Sequence, residues 1–118
     1  METKEIAQKL VEYCRKADWD GAHKELYAKN ATSIEPYETP DFPKTTKGLD
    51  AIVAKGKKFD SMVEQMHKLT VSDPLVVGNS IAFVMEMDLT MNGQRMGMPE
   101  ICVYTVKDGK IVTEEFFV

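Results

Sequence analysis

Apolar residues near the N-terminus recur every three or four positions. Ile6, Ala7, Leu10, Val11, Cys14 and Ala17 share one face, with Lys and Glu between them. This spacing predicts an amphipathic helix over Thr3–Lys16. Asp18 and Asp20 are each placed to cap a second helix. Ala22, Leu26 and Tyr27 predict that this helix is short, broken at Lys29-Asn30. Ala31–Glu35 reads as a short strand ending at Pro36. Pro36, Pro40 and Pro43 exclude helix from the next stretch and disfavour a central strand. Pro36–Thr46 is therefore a loop, long enough to cover something with Tyr37 and Phe42. Helical spacing resumes with Leu49, Ile52, Val53, Phe59 and Met62. Asp50, or Thr46 before it, precedes this third helix, and Gly56 weakens it slightly.

Beyond Met62 the pattern becomes that of strands. Val63–Ser72 and Leu75–Val77 are strand candidates, Gly78-Asn79 is a turn, and Ser80–Met91 is a long strand. Asn92-Gly93 is a strong hairpin signal, because both residues tolerate the positive φ of a type I′ turn. Gln94–Val106 comes next, Asp108-Gly109 repeats the turn signal, and Ile111–Val118 is the last strand. Helices on one side of a curved antiparallel sheet make an α+β fold.

The two-residue turn at Asn92-Gly93 sets a register. Met91 faces Gln94, Leu89 faces Met96, Met87 faces Met98, Met85 faces Glu100, Phe83 faces Cys102 and Ile81 faces Tyr104. Alternation puts this whole set on one face. That face is a methionine-rich apolar wall with one carboxylate, Glu100. Desolvation there would raise the pKa of Glu100 and make it a candidate acid or neutral hydrogen-bond donor. The plainer alternative is a Glu100 at a solvated opening, or paired with Lys or Arg. For the last strand, a strict turn at Asp108-Gly109 brings Thr113, Glu115 and Phe117 to the Glu100 face. A one-residue bulge brings Glu114 and Phe116 instead, and the sequence leaves both open.

Composition narrows the function. The 118 residues suit one domain, residues 1–118, and 43% apolar residues are enough for a core. Eight are Met, five of them between Met85 and Met98. The net charge of −4 lacks the basic excess of a nucleic-acid partner. No apolar run is long enough to span a membrane and the start has no signal-peptide pattern, so the expectation is a cytoplasmic protein with no membrane partner. Cys14 and Cys102 sit in apolar patterns and read as buried thiols. With two His and no metal-ligand spacing, no metal site and no cofactor is expected. His67 alternates with Val63, Gln65, Leu69 and Val71, as either a core histidine or a catalyst. His23 lies in a charged helix and reads as solvated. Glu35, at a strand end beneath the aromatic loop, is placed for proton transfer or is a solvated turn residue. Trp19 packs between the first two helices or lines a cavity.

Four segments resemble the nuclear transport factor 2-like superfamily, and within it the SnoaL-like polyketide cyclases and ketosteroid isomerase-related proteins. They are Lys16-Ala17-Asp18-Trp19-Asp20-Gly21, Ala31-Thr32-Ser33-Ile34-Glu35-Pro36, Lys47-Gly48-Leu49-Asp50-Ala51-Ile52 and Asp108-Gly109-Lys110-Ile111-Val112. The resemblance implies a cone, in which a strongly curved antiparallel sheet wraps three N-terminal helices around one apolar cavity. It also implies a homodimer through the outer sheet face. Glu35-Pro36 falls where ketosteroid isomerase has the Asp-Pro of its general base, and Glu100 falls at or beside its protonated oxyanion-hole acid. The isomerase's oxyanion tyrosine corresponds to about Leu10, with Tyr13 nearly one turn away.

Two functions are expected from these readings. One is an acid/base enzyme moving a proton on a small carbonyl compound, as an isomerase, cyclase or dehydratase. Its catalytic residues would be Glu35 as base, Glu100 as acid and His67 as relay. The other is a non-catalytic module for binding an apolar ligand or for dimerisation. In either case Trp19, Tyr37, Phe83, Met85, Met87, Met98 and Tyr104 are the expected ligand-binding residues.

Overall fold

The first helix, α1 (Thr3–Arg15), forms on the expected spacing and buries Ile6, Ala7, Leu10, Val11 and Cys14. A computed structural model describes residues 1–118, the whole chain. Asp18 caps α2 (Trp19–Leu26) by accepting a hydrogen bond from the Gly21 backbone N–H at 2.9 Å. Gly21 leaves room for that cap, since a Cβ there would lie 2.6 Å from Asp18 Oδ2 and 2.7 Å from the Tyr13 ring. Asp20 is no cap and pairs instead with Lys24 at 2.9 Å.

The second helix ends earlier than its pattern suggests. Tyr27 already belongs to β1 (Tyr27–Ile34), where it pairs with Ile111. A distant ladder partner here overrides local helical spacing. The proline-rich loop closes on β2 (Thr45–Lys47), whose Thr46 lies opposite Ser33. Thr46 is thus a strand residue, and neither it nor Asp50 caps α3 (Leu49–Met62). The helix starts from Gly48 at φ 94°, a left-handed conformation in which a Cβ would be strained.

The remaining strands are β3 (Val63–Val71), β4 (Leu75–Val77), β5 (Ser80–Met91), β6 (Gln94–Lys107) and β7 (Lys110–Phe117). The sheet runs β2-β1-β7-β6-β5-β3, with β4 also on β5. It is curved and unclosed. It is also mixed rather than wholly antiparallel: β7 arrives beside β1 running in the same direction. All other pairs are antiparallel. No helix is long and apolar enough to cross a membrane.

The β5–β6 hairpin has the register expected from its turn, from Met91 opposite Gln94 to Ile81 opposite Tyr104. Asn92 and Gly93 take φ of 53° and 74°, as a type I′ turn requires. Two irregularities depart from simple alternation. Between β6 and β7 the register shifts after Thr105, so Glu114 lies opposite Tyr104 and Phe116 opposite Cys102. This bulge settles the choice left open by the sequence: Glu114 and Phe116 face inward. In β3 the register shifts twice, and His67 falls in the second shift, between Met66 and Lys68. The core joins the inner faces of the helices to Ile81, Phe83, Leu89, Cys102 and Ile111 on the sheet.

Candidate functional site

A cavity of about 390 Å³ lies between the helices and the inner face of the sheet. The hairpin register builds one wall of it from Met85, Met87 and Met91 of β5 and Met98 of β6. Leu10 and Cys14 of α1 and Trp19, Ala22 and His23 of α2 form another side. Tyr37 and Phe42 come from the proline-rich loop, with Tyr37 well exposed at the rim. Of the expected ligand-binding residues, Trp19, Tyr37, Met85, Met87, Met98 and Tyr104 line this space. Phe83 does not: it is buried behind the lining, stacked on Tyr104 at 5.4 Å between centroids.

Glu100 projects into the cavity beside Met98 and is half-buried. Its one protein hydrogen bond is a weak contact from the Cys102 thiol, at 3.7 Å. Burial pushes its pKa up to about 7, and the charges of Glu35 and Glu114 add to the rise. The thiol and Lys55 only partly offset it. Glu100 is therefore a carboxyl that can change protonation state near neutral pH.

Glu35 also lines the cavity, but it is engaged. Lys55 Nζ lies 2.9 Å from its carboxylate and donates to Ser33 Oγ at 2.5 Å. Ser33 Oγ donates to Glu114 at 2.6 Å, and the Tyr27 hydroxyl donates to the other Glu114 oxygen. Glu35, Lys55, Ser33, Glu114 and Tyr27 thus form one chain from the half-buried loop end to the core. No fully enclosed polar atom in it lacks a partner, which is what a buried polar group needs.

Two buried cavity side chains bearing nitrogen or oxygen have no such partner. His23 is 8% exposed and meets the Tyr27 ring edge-on, at 4.8 Å between centroids. Burial lowers its pKa, so it is a neutral imidazole at neutral pH. The inner face of α2 thus overturns the expectation of a solvated His23. Tyr104 is 3% exposed. Neither side chain hydrogen-bonds to the protein, yet no fully enclosed polar atom lacks a partner. The imidazole nitrogens and the Tyr104 hydroxyl must therefore reach open space, and both residues line the cavity.

His67 is not among the cavity residues. The β3 bulge turns it toward Thr90, whose Oγ1 lies 2.6 Å from its Nε2. Tyr13 is also elsewhere, donating to Glu25 at 2.5 Å. No three His, Cys, Asp or Glu side chains are arranged to hold a metal ion. Cys14 reaches the cavity, but burial pushes its thiol up to about 12. It is not a nucleophile at ordinary pH.

Sequence reasoning missed His23 and Lys55, though each carried a signal. His23 falls four residues after Trp19 and three before Leu26, on the inner stripe of α2. Lys55 interrupts the α3 stripe between Ile52 and Phe59, where a solvated lysine is not expected.

Three helices held by a curved sheet around one lined cavity define the nuclear transport factor 2-like class, and known structures agree. A protein from Mesorhizobium loti, provisionally named a SnoaL-like polyketide cyclase, is 31% identical over 100% of both chains, with a TM-score of 0.92. A protein of unknown function with a cystatin-like fold from Xanthomonas campestris is 18% identical, covering 99% of this chain and 90% of that one, with a TM-score of 0.83. A hypothetical protein with a ketosteroid isomerase-like fold from Catenulispora acidiphila, in complex with trimethylamine, is 15% identical, covering 99% of this chain and 87% of that one, with a TM-score of 0.74. No curated protein sequence matches significantly. The family model of the SnoaL-like domain matches residues 1–118. This chain belongs to the SnoaL-like domain family.

Proposed function

We propose that the protein binds a small, largely apolar molecule in the methionine-lined cavity and exchanges a proton with it through Glu100. The observation that carries this reading is the contrast between the two carboxyls that the sheet turns inward. Glu114 is held by two hydroxyls. Glu100 has only a thiol and titrates where it can both give and take a proton near neutral pH. Glu35 is the weaker candidate for the base, because it would first have to part from Lys55.

On a carbonyl compound the step is isomerase-, cyclase- or dehydratase-like. The Glu100 carboxylate takes a proton from the carbon beside the carbonyl and returns it elsewhere. The Tyr104 hydroxyl and the neutral His23 are the groups available to donate to the enolate oxygen. Thioethers suit such a pocket because they adapt to the ligand without imposing one shape. Methyl-¹³C methionine NMR with a panel of small ketones tests the binding. The resonances of Met85, Met87 and Met98 should shift while that of Met96, which does not line the cavity, stays. Shifts at Met96 alone would place binding elsewhere.

The outer sheet face supports a homodimer. Val84, Ile101 and Phe117 are all exposed, and each is a direct cross-strand neighbour of the next. A contiguous apolar patch of this kind is more often covered than bare. Sedimentation should find a dimer that Ile101→Lys converts to monomer. A monomeric parent protein would refute the dimer.

A further inference from the structure

The charge lining the cavity is uneven. Glu35, Asp41, Glu100 and Glu114 supply four carboxylates, and Lys55 is the one ammonium. Lys55 is committed to Glu35 and Ser33, and Glu114 to Tyr27 and Ser33. The groups left for a ligand can all accept hydrogen bonds and none carries positive charge: the Glu100 carboxyl, the neutral His23 imidazole and the Tyr104 oxygen, the last two able to donate as well. The last two are more than nine-tenths buried, face the cavity and have no protein partner.

The rings around them point the same way. The face of an aromatic ring attracts cations, and two lining rings already draw the protein's own. Lys55 lies 5.9 Å from the centroid of Phe116, and Lys58 lies 5.1 Å from that of Phe42. Ring faces, polarisable thioethers and an unmatched carboxyl together recognise a positive centre on an apolar body. A carboxylate or phosphate ligand would instead meet the surplus negative charge with no cation free to receive it.

We propose that the cavity's ligand is a small organic cation, an amine whose protonated nitrogen lies against Glu100 while its apolar body lies on Met85, Met87 and Met98. This rests on the reading of the Glu100 cavity as a ligand site and names the class of molecule it takes. His23 and Tyr104 supply further acceptors for the ammonium N–H groups. No covalent bond between protein and ligand forms: binding ionises Glu100, whose proton goes to solvent when the amine enters protonated, or passes to the nitrogen when the amine enters neutral.

Affinity should follow the ionisation of Glu100. The groups around it are Cys102 and Tyr104 on β6, Glu114 on β7, Glu35 at the end of β1, Lys55 on α3, His23 on α2 and Cys14 on α1. The thiols and Tyr104 are pushed upward by burial and stay neutral across the neutral range. His23 is pushed down and is also neutral there. An amine that remains protonated should therefore bind more tightly as pH rises through about 7, then level off.

Benzylamine, benzyl alcohol and benzoate share one ring and differ in charge. Titrated into the full chain and followed at the methionine methyls, benzylamine should bind about tenfold more tightly than benzyl alcohol near pH 8, the worth of one charge-assisted hydrogen bond. Benzoate should be weakest. The amine's advantage should shrink several-fold near pH 6 and disappear in Glu100→Gln. Equal or tighter binding of the alcohol or of benzoate, or an amine preference that survives Glu100→Gln, overturns the cation assignment while leaving the cavity a binding site. No response to any of the three at millimolar concentration overturns the binding reading itself, and the cation assignment with it.

Discussion

Glu100→Gln is expected to lower proton exchange into a cavity-bound ketone by about 100-fold or more, the usual scale for losing a positioned acid or base. Deuterium uptake at the carbon beside the carbonyl reads this directly. The substitution keeps the shape of the side chain and removes only its ability to titrate. The fold should survive, and its dependence on pH should change in a defined way.

Glu100 titrates at about 7 when folded, against the ordinary glutamate value of 4.5 when unfolded. Between those values the folded chain keeps a proton that the unfolded chain has released. Stability therefore falls as pH rises across that window, and above about 7 the loss is complete. For a half-buried group the total is about 2–3 kcal/mol, or on the order of 10 °C in Tm for a domain of this size. His23, whose pKa is lowered by burial, has the opposite sign. The unfolded chain takes up its proton first, so that contribution is lost on acidification. Thermal melts of Glu100→Gln against the parent isolate the Glu100 part, because His23 is common to both. The variant should lack the decline between about pH 5 and pH 7. Parallel pH profiles would mean that Glu100 does not carry the shift.

The second large effect is on stability. Glu114→Ala should cost about 3–5 kcal/mol, as removing one member of a buried charged pair or network does. Glu114 is buried and accepts from both Tyr27 and Ser33. Its loss leaves the Tyr27 and Ser33 hydroxyls without their acceptor. The cost lies largely in the stranded partners, so removing them together should recover part of it. Glu114→Leu combined with Tyr27→Phe and Ser33→Ala should be less destabilised than the sum of the three single changes. Urea unfolding midpoints with unchanged slope measure this. Strict additivity would show that Ser33, Glu114 and Tyr27 are not coupled.

The fold is legible in the sequence where local chemistry is decisive. Asn92-Gly93 admits few other turns, and its register alone carries Glu100, Met85, Met87 and Met98 to one face. Alternation misplaces His67, because a bulge adds a residue without marking the sequence. In β3 that addition moves His67 out of an alternation that otherwise looks regular. The bulge after Thr105 is the counterpart: it makes Glu114 rather than Glu115 the inward carboxylate. The parallel pairing of β1 with β7 rests on residues more than eighty positions apart, such as Tyr27 and Ile111, and no local pattern announces it. His23 and Lys55 are readable from helical spacing but are obscured by charge, since a polar residue on an inner stripe looks like an interruption. What makes them cavity residues is the sheet curving around them, a property of the whole fold.

Both the proton exchange and the amine binding require Glu100 to be the titrating group of the cavity. Carboxyl ¹³C NMR of the selectively labelled chain, followed against pH, tests it most directly. The Glu100 resonance should titrate with a midpoint near 7, and that midpoint should move lower when an amine binds. A midpoint in the ordinary glutamate range, indifferent to added amine, would contradict it.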